Sequence, residues 1–121
     1  MATEPGLRMV AAVMIVCMIS AGQVLFKTAA ERLAANGGQL TFPVLSVISL
    51  SLLIYGVATL GWIWILQWYP LSRIYPLMAL SFVLVPVAGV LIFGERITFS
   101  YIAGTALLLG GLFLIVTPTG K

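Results

Sequence analysis

Charged side chains are confined to a few short places in this chain, and the stretches between them are long. No Asp, Glu, Lys, Arg or His interrupts residues 9–26, 33–72, 74–94 or 97–120. A helix that crosses the hydrocarbon core of a bilayer needs about 20 apolar residues, so three of these runs each hold one crossing. The 33–72 run is about twice that length and must be divided. Its first part carries Asn36, Gly37, Gly38, Gln39, Thr41 and Pro43, the composition of a loop followed by a helix start. Pro70 closes the remainder. The reading is an all-α membrane protein, a four-transmembrane-helix bundle that runs up-down-up-down with short loops. Its helices fall at about 7–33, 43–69, 71–93 and 97–117, within one integral membrane domain over residues 1–121. Strands do not fit, because a membrane sheet must close into a barrel and the alternating pattern of barrel strands is missing.

Composition excludes several function classes. The chain is 62% hydrophobic and 7% charged, whereas a soluble domain carries about 25% charged residues to wet its surface. A soluble enzyme, a disordered region and a disulfide-stapled domain are excluded together, since Cys17 has no partner within the chain. The absence of His removes a Ser-His-Asp triad and any His-containing metal site, and no metal or cofactor is expected. A net charge of +3, thinly scattered, does not make a nucleic-acid surface. The first run also reads as a secretory signal with Ile19-Ser20-Ala21 as its cleavage site. Against that, its start holds Glu4 and Arg8 in place of a positive cluster, and the helical pattern continues past Ala21. Arg8, Arg73 and Lys121 fall on one side of the membrane, with Lys27, Arg32 and Arg96 on the other. Lys/Arg bias therefore does not choose an orientation. Dual topology and an orientation fixed by other cues or by a partner subunit both remain open.

The polar residues inside the spans narrow the function. Ser20, Gln23, Lys27 and Glu31 follow one another at helical spacing and share one face of the first helix, a stripe about 17 Å long. One reading has Lys27 snorkelling to the interface and pairing with Glu31. The other is a polar groove that receives a charged or hydroxylated group, because an amide such as Gln23, deeper in the span, also needs a partner. Arg73 stands beside Tyr75 and Pro76 at the start of the third helix. Its planar fork suits phosphate oxygens, and it also suits an interfacial anchor. Trp62, Trp64, Trp68 and Tyr69 crowd one membrane face, and read as an aromatic belt before a binding cage. Pro76 and Pro86 favour kinks in the third helix. Ala106 and Gly110, with Gly111 beside them, form a small-xxx-small stripe on the fourth helix, suited to packing within the chain or to dimerisation. The acids Glu4, Glu31 and Glu95 all avoid mid-span positions. Glu31 is the one candidate for proton coupling, and no GxxxxGK[ST] motif is present. Transport rather than catalysis is expected.

Two segments carry a family resemblance. Gly22-Gln23-Val24-Leu25-Phe26-Lys27 resembles the first-helix motif of the drug/metabolite transporter superfamily. Residues 69–116, with their Gly94-Glu95-Arg96-Ile97 turn and Gly-containing last helix, resemble it more strongly. With the four-helix length, the likeness is to the small branch that holds the small multidrug resistance exporters and the small subunits of the aminoarabinose–undecaprenyl phosphate flippases. The exporters carry an essential first-helix Glu where this chain has Ile19 and a third-helix Trp where it has Met78, although Tyr75 is retained. An apolar Ile supplies neither a proton carrier nor a countercharge for a cationic drug. The resemblance to the flippase subunits survives that comparison.

That resemblance implies a bacterial inner-membrane protein that translocates a polyprenyl-phosphate-linked sugar. Its lipid tail stays in the membrane while phosphate and sugar cross about 30 Å of hydrocarbon. Lys27 and Arg73, on opposite faces, are the expected phosphate ligands. Gln23, Ser20 and Tyr75 are expected to meet the sugar, with Glu31 beside Lys27. The resemblance also implies a homodimer, or a heterodimer with a related four-helix subunit. The competing readings are a small-molecule exporter of the same fold lacking the first-helix Glu, and a non-transporting subunit that assembles with a glycosyltransferase or another complex.

Overall fold

The computed structural model describes residues 5–117, so Glu4 and Lys121, counted above among the charges, lie outside the described residues. Helix α1 spans Pro5–Ala35 and runs unbroken through Ile19–Ala21. It ends where Gly37 and Gly38 take φ of 69° and 85°, a left-handed region that closes a helix at little steric cost when there is no Cβ. The Gly38 N–H donates to Leu33 O at 2.9 Å, and Asn36 Nδ2 donates to Thr41 Oγ1 at 3.1 Å across the loop. Helix α2 spans Phe42–Leu66, with Pro43 in its first turn.

The third span, Leu71–Phe93, has three parts. A short α3 (Leu71–Ile74) passes into a 3₁₀ segment over Tyr75–Leu80, and α4 follows over Ser81–Phe93. Helix α5 spans Phe99–Val116, and Thr98 caps it by accepting the Tyr101 N–H at 3.1 Å. These four spans are long and apolar enough to cross a bilayer, and the chain is a multi-pass membrane protein built as a four-helix bundle.

Two details depart from sequence expectation. Helix α2 stops at Leu66 rather than near Tyr69, and Trp68 N–H tightens onto Ile65 O at 3.0 Å. Pro70 drives this, because the residue before a proline is pushed out of the helical region. In the third span, Pro76 occupies the first turn of the 3₁₀ segment. Its ring leaves the α-helical ladder without a donor, and the span winds more tightly there instead of simply bending. Pro86 remains inside a continuous α4.

Helix α1 is the hub. It packs along α2, and more locally on α4 and the 3₁₀ segment. Ala12, Ile15, Ala58, Ile65 and Ile74 form the core, with Trp62 and Tyr69 against it. Small residues let α1 and α2 approach closely. A Cβ at Gly22 would lie 2.8 Å from the Tyr55 ring, and one at Gly61 would lie 3.0 Å from Ile15. Helix α5 stands apart, with no buried residue and its main contact at the 3₁₀ segment.

Candidate functional site

The displacement of α5 opens a groove of about 950 Å³ between α1, the third span and α5. Its walls are largely apolar, with Ile19, Val85, Leu108, Leu112 and Ile115 among them. Gln23, Tyr55, Tyr75, Ser81 and Tyr101 bring polar atoms to it. The 3₁₀ segment supplies Tyr75, Pro76, Met78 and Ala79. A stretch of 3₁₀ within a longer helix often marks a hinge, and this one forms the groove wall on which α5 rests.

Gln23 Nε2 donates to the Tyr55 hydroxyl at 3.2 Å, which answers the need for a partner deep in the span. The Tyr55 ring is held by Phe26, with centroids 5.6 Å apart, and lies against the bare backbone of Gly22. The Gly22-Gln23 pair thus has a geometric meaning: the glycine admits the tyrosine ring and the glutamine meets its hydroxyl. Tyr55 was not visible as a site residue in the sequence. Its signal was the one tyrosine of the second span, amid small hydroxyls and apolar side chains.

Ser20 is placed differently from its neighbours in the stripe. It is buried at 5% exposure. Its hydroxyl donates to Val16 O at 3.0 Å and lies 3.1 Å from Ser81 Oγ. It therefore joins α1 to α4, and Ser81 rather than Ser20 lines the groove.

One turn beyond Gln23, Lys27 sits between two carboxylates. Its Nζ is 3.8 Å from Glu31 Oε2 on the same helix and 3.9 Å from Glu95 Oε2 in the turn before α5. Lys27 and Glu31 also line a small recess of about 300 Å³ with Ala30 and Ala34. Sequence spacing revealed the Glu31 contact but not the Glu95 contact, which needs the third and fourth spans folded back to the end of α1. That contact places the C-terminal end of α1 and the α4–α5 turn at one membrane face.

The other face gathers the N-terminal end of α1 and the end of α2. The Arg8 guanidinium stacks 4.5 Å from the centre of the Trp68 ring, a cation–π arrangement. Trp68 packs edge-on to Trp64 at 4.6 Å. Arg73, in the last turn of α3, follows directly and is exposed. The structure thus brings Gln23 and Tyr75 to one groove, sets Lys27 and Glu31 a turn beyond it, and leaves Arg73 at the opposite face. Ala106, Gly110 and Gly111 are exposed. Among the described residues nothing lies within 4 Å of where a Cβ would stand at Gly104, Gly110 or Gly111, so close packing between those residues does not account for these glycines.

The model of the EamA-like transporter family matches residues 2–117. A probable 4-amino-4-deoxy-L-arabinose-phosphoundecaprenol flippase subunit ArnF of Sodalis glossinidius is 39% identical over 113 residues, 87% of this chain and 87% of the relative. The ArnF counterpart of Erwinia tasmaniensis is 34% identical over 117 residues, 88% of this chain and 91% of the relative. A probable ArnE subunit of the same flippase, from Pectobacterium atrosepticum, is 39% identical over 108 residues, covering 85% and 93%. No solved structure matches the chain at a significant level.

Proposed function

The chain belongs to the EamA-like transporter family, and on that premise we propose that it is a subunit of an inner-membrane flippase. Its cargo is a polyprenyl-phosphate-linked aminosugar of the kind named in its ArnE and ArnF relatives. The observation that carries the reading is the groove between α1, the third span and α5. It is lined mostly by apolar side chains, with the Gln23–Tyr55 pair in its wall and a lysine one helical turn further on.

Such a groove suits a molecule with three unlike parts. The polyprenyl chain needs no shelter from lipid and can lie along the apolar side chains of α5. The sugar presents hydroxyls, which Gln23, Tyr55, Tyr75 and Ser81 can meet with donors and acceptors. The phosphodiester carries the charge whose exposure to hydrocarbon dominates the barrier, since a charge at the bilayer centre costs several kcal/mol or more. Lys27 at one face and Arg73 at the other offer cations at the two ends of the path. Charge-assisted hydrogen bonds to phosphate oxygens are stronger than neutral ones. Ser20 supports the site by holding α1 to α4, and Glu31 holds Lys27 near its own helix.

A single chain lines this groove with α1, the third span and α5 but does not enclose it. The exposed Ala106–Gly110 pair of α5 fits a second four-helix subunit, which would close the groove and double the walls. The comparable likeness to ArnE and to ArnF supports a partner of the same build, either a second copy or a related chain.

The test is headgroup translocation in liposomes that contain undecaprenyl phosphate–aminoarabinose and the purified chain. Headgroup exposure is expected to move faster than in empty vesicles and to fall to the empty-vesicle rate in Lys27→Ala, with the variant still present in the membrane. Normal flipping by that variant would remove Lys27 from the mechanism. An undiminished barrier with wild type, both alone and with a related subunit added, would remove the function.

A further inference from the structure

Lys27 is shared between two carboxylates, and the one from another span is held by a built turn. The separations of 3.8 and 3.9 Å exceed the roughly 2.7–2.9 Å of a charge-assisted hydrogen bond, so the ammonium is locked to neither acid. All three side chains are about half exposed, at 46% for Lys27, 53% for Glu31 and 48% for Glu95. Ion pairs of that exposure are weak.

The backbone of Glu95 is fixed nonetheless. Gly94 adopts φ 67° and its N–H donates to Val90 O at 3.2 Å, which closes α4 in the αL motif, and the Glu95 N–H donates to Gly89 O at 3.2 Å. Gly89 then leaves room for the carboxylate to lie back over the helix, for a Cβ there would stand 2.5 Å from Glu95 Oε1. A carboxylate at the C-terminal end of a helix sits at the unfavourable pole of the helix dipole. Its compensation is the ammonium of Lys27.

We propose that Glu95 is a positioning residue, an exchangeable counter-ion that holds Lys27 at the α4–α5 turn in the empty protein and yields it to the phosphate of an entering polyprenyl phosphate. The proposal rests on the reading of Lys27 as a phosphate ligand and adds the group that competes for it. The exchange strands no buried charge. The phosphodiester takes the place of one carboxylate at the ammonium, and the released Glu95 turns to water at the membrane face. The same competition helps eject the phosphate when transport is complete. Glu31, four residues away on the same helix, stays beside Lys27 in either state and cannot tie it to another span.

The experiment titrates the full-length chain, in nanodiscs of zwitterionic lipid, with undecaprenyl phosphate as the probe and reads occupancy by native mass spectrometry. Flipping turnover is followed in parallel in liposomes. Glu95→Gln removes the charge and keeps the shape. It is expected to lower the half-saturating concentration about two- to fivefold, the range set by a weak exposed ion pair, and to slow turnover at saturation because phosphate leaves more slowly. Glu95→Asp keeps the charge and is expected to stay near wild type in both. A purely structural side chain gives the opposite pattern, with Gln like wild type and Asp impaired. That pattern, or a raised or unchanged half-saturating concentration in Glu95→Gln, overturns the proposal. If binding and flipping are present and fall in Lys27→Ala while Glu95→Gln matches wild type, the role of Glu95 alone is refuted. If wild type neither binds nor flips the lipid, the proposed function fails, and the role of Glu95 fails with it.

Discussion

Helices α1 and α5 are both long and apolar, yet they occupy opposite positions in the molecule. Helix α1 touches α2, α4 and the 3₁₀ segment and buries Ala12, Val16, Ser20 and Ala29. Helix α5 buries nothing and leans on the 3₁₀ segment. The difference lies in what interrupts the apolar surface. On α1 the interruptions are matched: Gly22 by the Tyr55 ring, Ser20 by Ser81, Gln23 by Tyr55 and Lys27 by Glu95. On α5, no atom of the described residues comes within 4 Å of where a Cβ would stand at Gly104, Gly110 or Gly111. In lipid, where neighbouring helices gain little from burying apolar area, close backbone approach and interhelical hydrogen bonds decide which helices associate. Helix α1 has both with partners inside the chain, whereas α5 has neither among the described residues, and the proposed second subunit would supply them.

Substitutions at paired positions can break that contrast. The largest effect is expected at Gly22→Leu. The new side chain must enter space already 2.8 Å from Tyr55. Overpacking of this kind typically costs about 1–3 kcal/mol, and the gain of about 1 kcal/mol from replacing a helical glycine offsets it only in part. Unfolding of the chain in mixed micelles with increasing denaturing detergent reads the loss, and a variant as stable as wild type would show that Gly22 is not a contact point between α1 and α2. Gly110→Leu is the counterpart on α5. The stability of the single chain should change by about 0.5 kcal/mol or less, while crosslinking of subunits in the membrane should fall sharply. Unchanged crosslinking would move the subunit contact off this stripe. Ser20→Ala is expected to have a small effect, confined to the stability of the single chain. It removes the Ser20–Ser81 bond at a loss of about 0.6 kcal/mol, the average for interhelical hydrogen bonds in membranes. The same denaturation measurement tells whether that clamp matters to the α1–α4 contact.

Much of the architecture was legible beforehand. Charge-free runs bounded the four spans, Gly37-Gly38 and Pro70 marked the connections, and the Gly94-Glu95 turn was singled out. The groove was legible in part. Helical spacing put Gln23, Lys27 and Glu31 on one face, and the structure keeps Gln23 at the groove with Lys27 and Glu31 just beyond. Ser20 belongs to the same stripe by spacing, but a stripe about 17 Å long covers both a buried contact and an open wall, and spacing alone does not separate them. Tyr55, Ser81 and Glu95 escaped notice as partners because each meets α1 from a distant part of the chain. The 3₁₀ segment escaped as well, since a proline in a helical run signals a disturbance without specifying its form.

The sequence by itself determined the solvent, the number of crossings, their alternating direction and the polar residues that lipid will not tolerate alone. These follow from one-dimensional quantities, namely run length, charge position and turn chemistry, each set by residues adjacent in the chain. Tertiary structure alone decided that α1 is central and α5 peripheral, that Ser20 is spent on a helix contact, and that Lys27 is divided between Glu31 and Glu95. The physical reason is the uniformity of the membrane interior. A soluble helix advertises its buried face by the contrast between apolar and polar sides, whereas a helix in hydrocarbon is apolar all round, and only the fit of particular small and polar side chains against their partners chooses its neighbours.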